Sequence, residues 1–261
     1  MKFLSPILTL ALLSGGVFIT PRLEAGERRF TYVYEAVTAP KGEVEIENWL
    51  TWKTNQEDGR RGNEFDFRHE IEYGVTDKLQ FGLYVADWKV LDNFAGGEKG
   101  AQAIYEDTAF EAIYNLTNPV TDLIGSAIYG EIQLGDHKFA LEGKIILQKN
   151  FGPFVVAYNA TLEAEWEGER FGYFNERKGT FEQTLGASYQ FTPNFLLGGE
   201  FLHEIDFPEW GGAANNGVVY VGPNASFRYD RFYVTTTALV QATAITEEPD
   251  FQLRTIFGFH F

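Results

Sequence analysis

The sequence predicts an all-β fold, a transmembrane antiparallel up-and-down β-barrel of about twelve strands, and three observations predict it. Segments such as residues 65–73 alternate in polarity, so that one face is apolar and the other is charged. The middle of each assigned apolar row holds no Lys, Arg, Asp or Glu, as expected where a charge at the bilayer midplane is costly. A tyrosine precedes alternate turns, which is typical of an interfacial aromatic girdle: Tyr73, Tyr114, Tyr189 and Tyr229.

Residues 1–25 are predicted to be a signal peptide. Lys2 precedes an apolar run over residues 7–13, and cleavage is expected after Ala25. The alternative is an uncleaved membrane anchor, which Ser14 and the two glycines after it disfavour because they shorten the apolar stretch. No later run is apolar enough to form a membrane helix.

Residues 26–41 are predicted to lie in the lumen or at the periplasmic mouth of the barrel. The stretch Phe30 to Ala36 alternates like a strand, but a thirteenth spanning strand would put the mature N-terminus outside the cell. Pro40-Lys41-Gly42 then forms the turn into the barrel.

Residues 42–261 are predicted to be the transmembrane β-barrel. Twelve segments alternate in polarity, and an even number places both ends of the barrel on the periplasmic side; an alternative count is fourteen. The predicted strands are 43–53, 64–74, 78–89, 103–116, 122–134, 138–148, 154–166, 179–191, 195–205, 217–229, 232–243 and 250–261.

Loop lengths orient the predicted barrel, because short turns belong on the periplasmic side and long loops outside. The connections near 75–77, 117–121, 150–153, 192–194 and 230–231 are short. Those near 54–63, 90–102, 167–178 and 206–216 are expected to be long, while 135–137 and 244–249 are shorter exceptions.

Composition limits the partners of the mature chain. Without residues 1–25 it has 19 basic and 36 acidic residues, a formal charge of −17, which disfavours nucleic acid as a partner. The absence of cysteine excludes disulfides, thiolate metal sites and a lipid-anchored N-terminal cysteine.

The inward rows are predicted to line a pore rich in carboxylates. Fourteen acids face four bases, and like charges around a water-filled pore favour cations. The alternative is that charged pairs fill the lumen and plug it. Twelve strands lie between the number in small barrels that side chains fill and the number in open porins, so both alternatives remain. The predicted pore-lining residues are Glu47, Arg68, Glu70, Glu72, Glu111, Glu131, Glu142, Lys144, Glu182, Arg228 and Arg254, and the other inward acids are Glu45, Asp66, Asp107, Glu163, Glu165, Glu200 and Glu204.

An enzyme is disfavoured, and no catalytic residue, metal site or cofactor is predicted. The chain has no Gly-x-Ser-x-Gly motif, and the strand register places no serine beside any of its four histidines. His69 falls on the apolar row, where a neutral ring bonded to a neighbouring strand, or a bulge that shifts the register, is expected rather than a catalytic base. His69 with Glu70 and His203 with Glu204 point to opposite faces, so neither pair forms a two-ligand metal site.

A third hypothesis is a structural or adhesive barrel with ligand-binding loops. Aromatic residues beside glycines in two predicted loops could bind sugars or lipopolysaccharide, although a second girdle with Trp52, Trp88 and Trp166 is favoured. The loop residues concerned are Phe171, Tyr173, Phe174, Phe207, Trp210, Gly211 and Gly212.

The last strand ends as bacterial outer-membrane barrels usually do, with Phe257, Phe259 and the terminal Phe261 on one face. This terminal aromatic pattern resembles the signal read by the barrel-assembly machinery. It therefore predicts the bacterial outer membrane as the location, with lipid and lipopolysaccharide as surroundings.

A family resemblance adds to this interpretation. The stretch Phe30 to Trp49 and the hairpin Tyr73 to Gly82 resemble uncharacterised outer-membrane barrels related to the MetA-type proteins of phenol-degradation pathways. The resemblance implies a transport barrel or channel for small solutes. Together with the acidic inward rows, it leads us to expect a preference for cations or for small hydrophobic or aromatic compounds. It carries no catalytic motif onto this sequence.

Overall fold

A computed structural model describes residues 28–54, 62–92, 101–214, 216–246 and 248–261. The predicted signal peptide lies outside these residues and stays a prediction. Within the described residues, no helix is long and apolar enough to cross a membrane.

Twelve antiparallel strands form one closed barrel. Each strand pairs with its neighbours in the chain, and the last strand pairs with the first. The prediction of a twelve-stranded all-β barrel is confirmed, and the alternative of fourteen strands is wrong because the sheet closes with twelve. The strands are β1 Val44–Thr54, β2 Asn63–Thr76, β3 Leu79–Asp92, β4 Gln102–Thr117, β5 Gly125–Leu134, β6 Lys138–Phe151, β7 Phe154–Arg170, β8 Tyr173–Thr192, β9 Phe195–Pro208, β10 Val218–Tyr229, β11 Phe232–Gln241 and β12 Phe251–His260.

The two ends of the barrel differ in their connections. One end, the short-turn end, has the connections 77–78, 118–124, 152–153, 193–194 and 230–231, together with the start of β1 and the end of β12. Gly152 and Asp230 take positive φ there, of 63° and 56°, and such residues suit two-residue hairpin turns. The other, long-loop end has the connections 55–62, 93–101, 135–137, 171–172, 209–217 and 242–250.

The predicted long loop over residues 167–178 is wrong. Strand β7 continues to Arg170, β8 begins at Tyr173, and only Phe171 and Gly172 separate them. Beyond the bilayer, water solvates both faces of a hairpin, so charged residues do not end the strands. This hairpin contains the two longest strands of the barrel, of 17 and 20 residues.

Side chains alternate between an apolar outer face and a polar interior. On β2, Ile71 and Tyr73 are 42% and 47% exposed, while Glu70 and Glu72 are 0% and 3% exposed. The outer rows of Ile, Leu, Phe and Tyr match the acyl chains of a bilayer, which has no water to satisfy polar groups.

A bulge in β3 preserves the two faces of the neighbouring strand. His69 pairs with Ala86 but Glu70 pairs with Tyr84, so Val85 is the extra residue. His69 therefore stays on the outer face, where its ring hydrogen-bonds Asn48 Oδ1 at 2.8 Å and accepts a hydrogen bond from Trp88 Nε1 at 3.2 Å.

Candidate functional site in the barrel interior

The interior contains residues 28–41, here called the inner segment. Its C-terminal end lies at the short-turn end, where the Gly42 N–H donates to the Gly74 carbonyl at 2.7 Å. At its other end the carbonyl of Arg28 accepts hydrogen bonds from Ser226 and Thr235, also close to a short turn. Between these points the segment reaches Tyr32, whose hydroxyl lies 3.2 Å from Gln252 Oε1 near the start of β12. Both ends of the inner segment therefore lie toward the short-turn end, and its middle part lies deeper in the barrel.

A carboxylate on β9 anchors the farthest part of the inner segment. Glu200 accepts hydrogen bonds from the backbone N–H groups of Thr31, Tyr32 and Val33 at 2.9, 2.7 and 3.2 Å. Such bonds to a buried carboxylate are charge-assisted and stronger than neutral ones. Thr237 also donates to Glu200.

Four side-chain amides of the wall hydrogen-bond backbone groups of Tyr34, Ala36 and Ala39. Asn159 accepts from the Tyr34 N–H at 2.6 Å and donates to the Tyr34 carbonyl at 3.0 Å. Gln148 accepts a hydrogen bond from the Ala36 N–H, and Asn115 donates one to the Ala36 carbonyl. Gln80 accepts a hydrogen bond from the Ala39 N–H. A segment without its own ladder needs such partners, because a buried unpaired backbone group is costly.

Arg28 provides the main positive charge of the segment. Its guanidinium lies 2.8 Å from Glu47, 3.2 Å from Glu72 and 3.7 Å from Glu70, and it stacks over the rings of Tyr34 and Trp49. Oxygens of these three carboxylates lie within 4.8 Å of one another, a set that could also hold a hard cation. The guanidinium contacts all three, so Arg28 offsets part of their negative charge.

Ring packing completes the inner segment's attachment to the wall. Phe30 packs on Val155 and Ala157, and its ring lies so close to Gly186 that a Cβ there would be 2.7 Å from it. Tyr32 packs on Leu202, Val218 and Tyr220, and Tyr34 contacts Tyr129 edge-on at 5.1 Å between ring centroids.

A cavity of about 270 Å³ lies between the inner segment and the long-loop end. The space on the other side of Tyr34, around Arg28, Glu72 and Gln80, is only about 30 Å³. The residues that line the larger cavity are Thr31, Tyr32, Tyr34, Trp49, Lys53, Arg68, Tyr129, Glu131, Glu142, Lys144, Glu182, Leu202, Glu204, Val218, Tyr220, Glu248, Gln252 and Arg254.

Several charged groups of the cavity are already paired. Lys53 contacts Asp66 at 2.6 Å and Glu64 at 2.9 Å. Arg68 pairs with Asp87 at 2.6 Å and reaches Glu131 at 3.4 Å, and Lys144 pairs with Glu142 at 3.1 Å. Arg254, Glu182 and Glu204 have no such ion pair among the described residues.

Glu248 lies outside the strands, in the connection from β11 to β12. Burial, assisted by the nearby carboxylates of Glu204 and Asp206, raises the pKa of Glu248 to about 7. The charge of this cavity-lining group therefore changes in the neutral pH range.

The predicted pore-lining residues divide into two groups and one outlier. Six of them line the larger cavity: Arg68, Glu131, Glu142, Lys144, Glu182 and Arg254. Four are almost fully buried beside the inner segment: Glu47, Glu70, Glu72 and Glu111. Arg228 is buried near the short-turn end. Their role in a solute path stays a prediction.

The predicted girdle and terminal-strand residues lie on the outer surface. Each tyrosine stands close to the short-turn end, and the three phenylalanines alternate along β12 and just beyond it. The exposed fractions are 47% for Tyr73, 44% for Tyr114, 42% for Tyr189, 68% for Tyr229, 43% for Phe257, 41% for Phe259 and 62% for Phe261. Contact with lipid headgroups and recognition by the assembly machinery stay predictions.

Sequence analysis missed two sets of interior residues. The first is the bases Arg28, Arg29, Lys53 and Lys138, which pair with interior carboxylates and reduce the excess of acid. The second is the amides Gln80, Asn115, Gln148 and Asn159. The sequence signal for these residues was an amide side chain on an inward row that is otherwise mostly charged. An amide can both donate and accept a hydrogen bond, so it can pair with backbone groups inside the barrel.

Comparison with protein families places the chain in one group. Residues 22–252 match a family of unknown function, DUF6662. The chain belongs to this family. No curated protein sequence matches it, and the relation to the MetA-type proteins of phenol-degradation pathways is not confirmed.

Solved structures with the same fold are bacterial outer-membrane barrels. The COG4313 outer membrane channel from Pseudomonas putida F1 has a TM-score of 0.63 at 12% identity, over 89% of this chain and 100% of that one. The β domain of the Bordetella autotransporter BrkA has a TM-score of 0.57 at 8% identity, over 84% and 99%. The NanC porin has a TM-score of 0.50 at 8% identity, over 84% and 98%. The DUF6662 chain is therefore an outer-membrane β-barrel, and the predicted location is confirmed.

Proposed function

We propose that this DUF6662 protein is a transport barrel for small solutes and that the inner segment controls the width of its path. The observation that carries the proposal is the difference in volume between a cavity on one side of the segment, about 270 Å³, and a cavity on the other side, about 30 Å³. A solute can occupy the larger cavity, but passage to the short-turn end requires the segment to move.

The contacts that hold the inner segment support the proposal that it can leave the lumen and open the path. Side chains, and not a backbone ladder, hold it, and residues 28–39 have no strand assignment. Its contacts with Glu200, Asn159 and Gln148 are individual hydrogen bonds that water can replace when the segment leaves.

The cavity supports a weak preference for cations. Five carboxylates and four bases line it, so the excess of negative charge is small when all are ionised. Tyr32, Tyr34, Trp49 and Tyr129 provide rings for solutes with an apolar part.

An enzymatic function has less support. His69, His137 and His203 contact amides, a Trp N–H or backbone carbonyls, and none of these contacts is a hydroxyl nucleophile. Acyl transfer needs a nucleophile within hydrogen-bond reach of its base.

A second candidate is an occluded, adhesive barrel, and the β7–β8 hairpin favours it. Phe171, Tyr173 and Trp210 are 55%, 63% and 47% exposed at the long-loop end, and Arg177 stacks on Trp210. This surface could bind a sugar or a lipopolysaccharide headgroup. A second aromatic girdle at the long-loop end is the simpler role for its rings.

Deletion of residues 28–39 tests the transport proposal. The signal peptide and the Pro40-Lys41-Gly42 turn are kept, and the purified barrel is studied in planar bilayers. We expect a higher single-channel conductance than in the wild type, with normal assembly, because the deletion joins the two cavities.

A crosslink provides the matched control. The chain has no cysteine, so Ala36→Cys with Asn115→Cys allows a short bis-maleimide to attach the inner segment to β4. The linked protein should keep the low conductance. If the deleted and wild-type barrels both fail to conduct, the occluded barrel is the correct interpretation.

A further inference from the structure

The cavity contains a positively charged side chain, Arg254, whose hydrogen-bonding capacity is only partly used. Arg254 donates from Nε to Thr51 Oγ1 at 2.9 Å and from Nη1 to the Thr31 carbonyl at 3.4 Å, and it stacks on Tyr32 at 4.0 Å. No described carboxylate lies within ion-pair distance of it. A guanidinium has five N–H donors, so several remain for another acceptor.

Two carboxylates of the same cavity are not engaged in short-range pairing with the described residues. Glu182 on β8 and Glu204 on β9 are direct neighbours in the strand register and both line the cavity. Neither side chain has a hydrogen bond or ion pair with any described residue. Two adjacent carboxylates favour a cation between them.

A buried hydroxyl beside Arg254 is also unsatisfied. Thr31 is 2% exposed and lines the cavity, and its Oγ1 has no hydrogen-bond partner. A buried polar atom without a partner carries a desolvation cost that a ligand's polar atom can relieve.

We infer that this cavity is a binding site for small zwitterionic solutes of the amino-acid class. The solute carboxylate would take the unused N–H groups of Arg254, and its ammonium would lie between Glu182 and Glu204. Arg254 and the two carboxylates place charges of both signs in one cavity. They select a molecule that carries both charges, because a solute with a single charge leaves the groups of one sign unpaired.

The size of the cavity limits the solute. A volume of about 270 Å³ is at or below the lower end of ordinary ligand pockets, which begin at roughly 300 Å³. A cavity of this volume can hold a single amino acid but not an oligosaccharide. The inference rests on the proposed function, since it identifies the solute of the same path.

Isothermal titration of the purified full-length protein in detergent tests the site. The probes are L-alanine, sodium propionate and ethylammonium chloride, of which the last two each carry one of alanine's charges. We expect alanine to bind about tenfold more tightly than either single-charge probe, since one charge-assisted contact is worth a factor of this order.

Five variants give the matched comparison. Arg254→Gln, and Glu182→Gln combined with Glu204→Gln, should weaken alanine binding about tenfold each. Arg177→Gln and Glu176→Gln lie on β8 outside the cavity and should bind alanine like the wild type. Arg254→Lys keeps the charge and should retain part of the affinity. Heat-modifiable gel mobility verifies that each variant is folded.

The outcomes separate this inference from the proposed function. Alanine binding no tighter than propionate or ethylammonium, or unchanged binding in the folded cavity variants, would overturn the zwitterion site. A barrel that conducts after deletion of residues 28–39 but does not bind alanine would refute the site alone. A barrel that binds alanine but never conducts would refute transport alone.

Discussion

At the scale of single residues, a few charged groups hold the inner segment against the barrel wall. Arg28 contacts the carboxylates of Glu47, Glu70 and Glu72, while Glu200 accepts hydrogen bonds from three consecutive backbone N–H groups. Each contact joins the inner segment to a different part of the wall. The segment's position therefore depends on a small number of strong, charge-assisted contacts.

Arg28→Gln is expected to loosen the inner segment. Removing one partner of a buried ion pair costs on the order of 3–5 kcal/mol, and here three carboxylates would lose their cation. Bilayer recordings should show more frequent or larger openings than in the wild type. Arg29→Gln is the control, because Arg29 pairs with Glu35 inside the segment. Equal effects of the two substitutions would contradict the assignment of Arg28 as the anchor.

Selectivity is expected to depend on pH through Glu248. Its raised pKa of about 7 means that the carboxyl is neutral below this pH and charged above it. Cation preference, measured from reversal potentials in a salt gradient, should therefore be higher at about pH 8.5 than at about pH 5.5. Glu248→Gln should reduce this difference. A pH dependence that is the same in both proteins would assign it to other groups.

At the scale of elements, β8 shows how the wall accommodates the inner segment. Thr184, Gly186 and Ser188 are buried on its inward row, and Gly186 leaves the space that the Phe30 ring occupies. A side chain at this position would overlap the ring, since even a Cβ would lie 2.7 Å from it. Shape, as well as charge, holds the segment in the lumen.

Gly186→Leu is expected to displace the inner segment without changing any charge. The leucine should exclude Phe30 from its place beside Val155 and Ala157, and conductance should rise, as we also expect for the deletion. Gly143→Leu is the control, because Gly143 is exposed on the outer face and a Cβ there would meet no atom within 4 Å. A folded Gly186→Leu barrel with wild-type conductance would show that Phe30 does not restrict the path.

At the scale of the whole molecule, closure between β1 and β12 removes the free sheet edges. The ladder between these strands runs from Glu45 paired with His260 to Thr54 paired with Phe251, and the Phe261 N–H extends it by donating to the Val44 carbonyl at 2.9 Å. In a bilayer an open edge would leave backbone groups without partners. The last residue of the chain therefore takes part in closing the barrel.

Phe261→Asp is expected to lower the yield of assembled barrel in the outer membrane. The substitution removes an exposed ring that contacts Phe259 at 4.9 Å and adds a charge at the closing strand. Gel mobility before and after heating, on isolated outer membranes, measures the assembled fraction. Tyr229→Asp removes another exposed aromatic at the same end and should be less damaging. Comparable losses in both variants would point to the girdle and not to the terminal strand.

The sequence by itself determined the strand number, the two faces and the position of the four exposed tyrosines beside the short turns. These features are local, because a period of two assigns each side chain to one face and a turn separates each pair of strands. Residues 65–73 show this directly, since every predicted outward and inward position on β2 is observed. The hairpin over residues 167–178 was the exception, since charged strands outside the bilayer lack the apolar row that marks a spanning strand.

The tertiary structure alone decided what fills the lumen. Glu200 and Thr31 are 169 residues apart in the chain and Tyr34 and Asn159 are 125 apart, and no local pattern indicates that they will meet. The same holds for the cavity, where Arg254, Glu182 and Glu204 come from three strands. Alternation shows that a side chain points inward, but its partner across the lumen depends on barrel closure, strand stagger and the course of the inner segment.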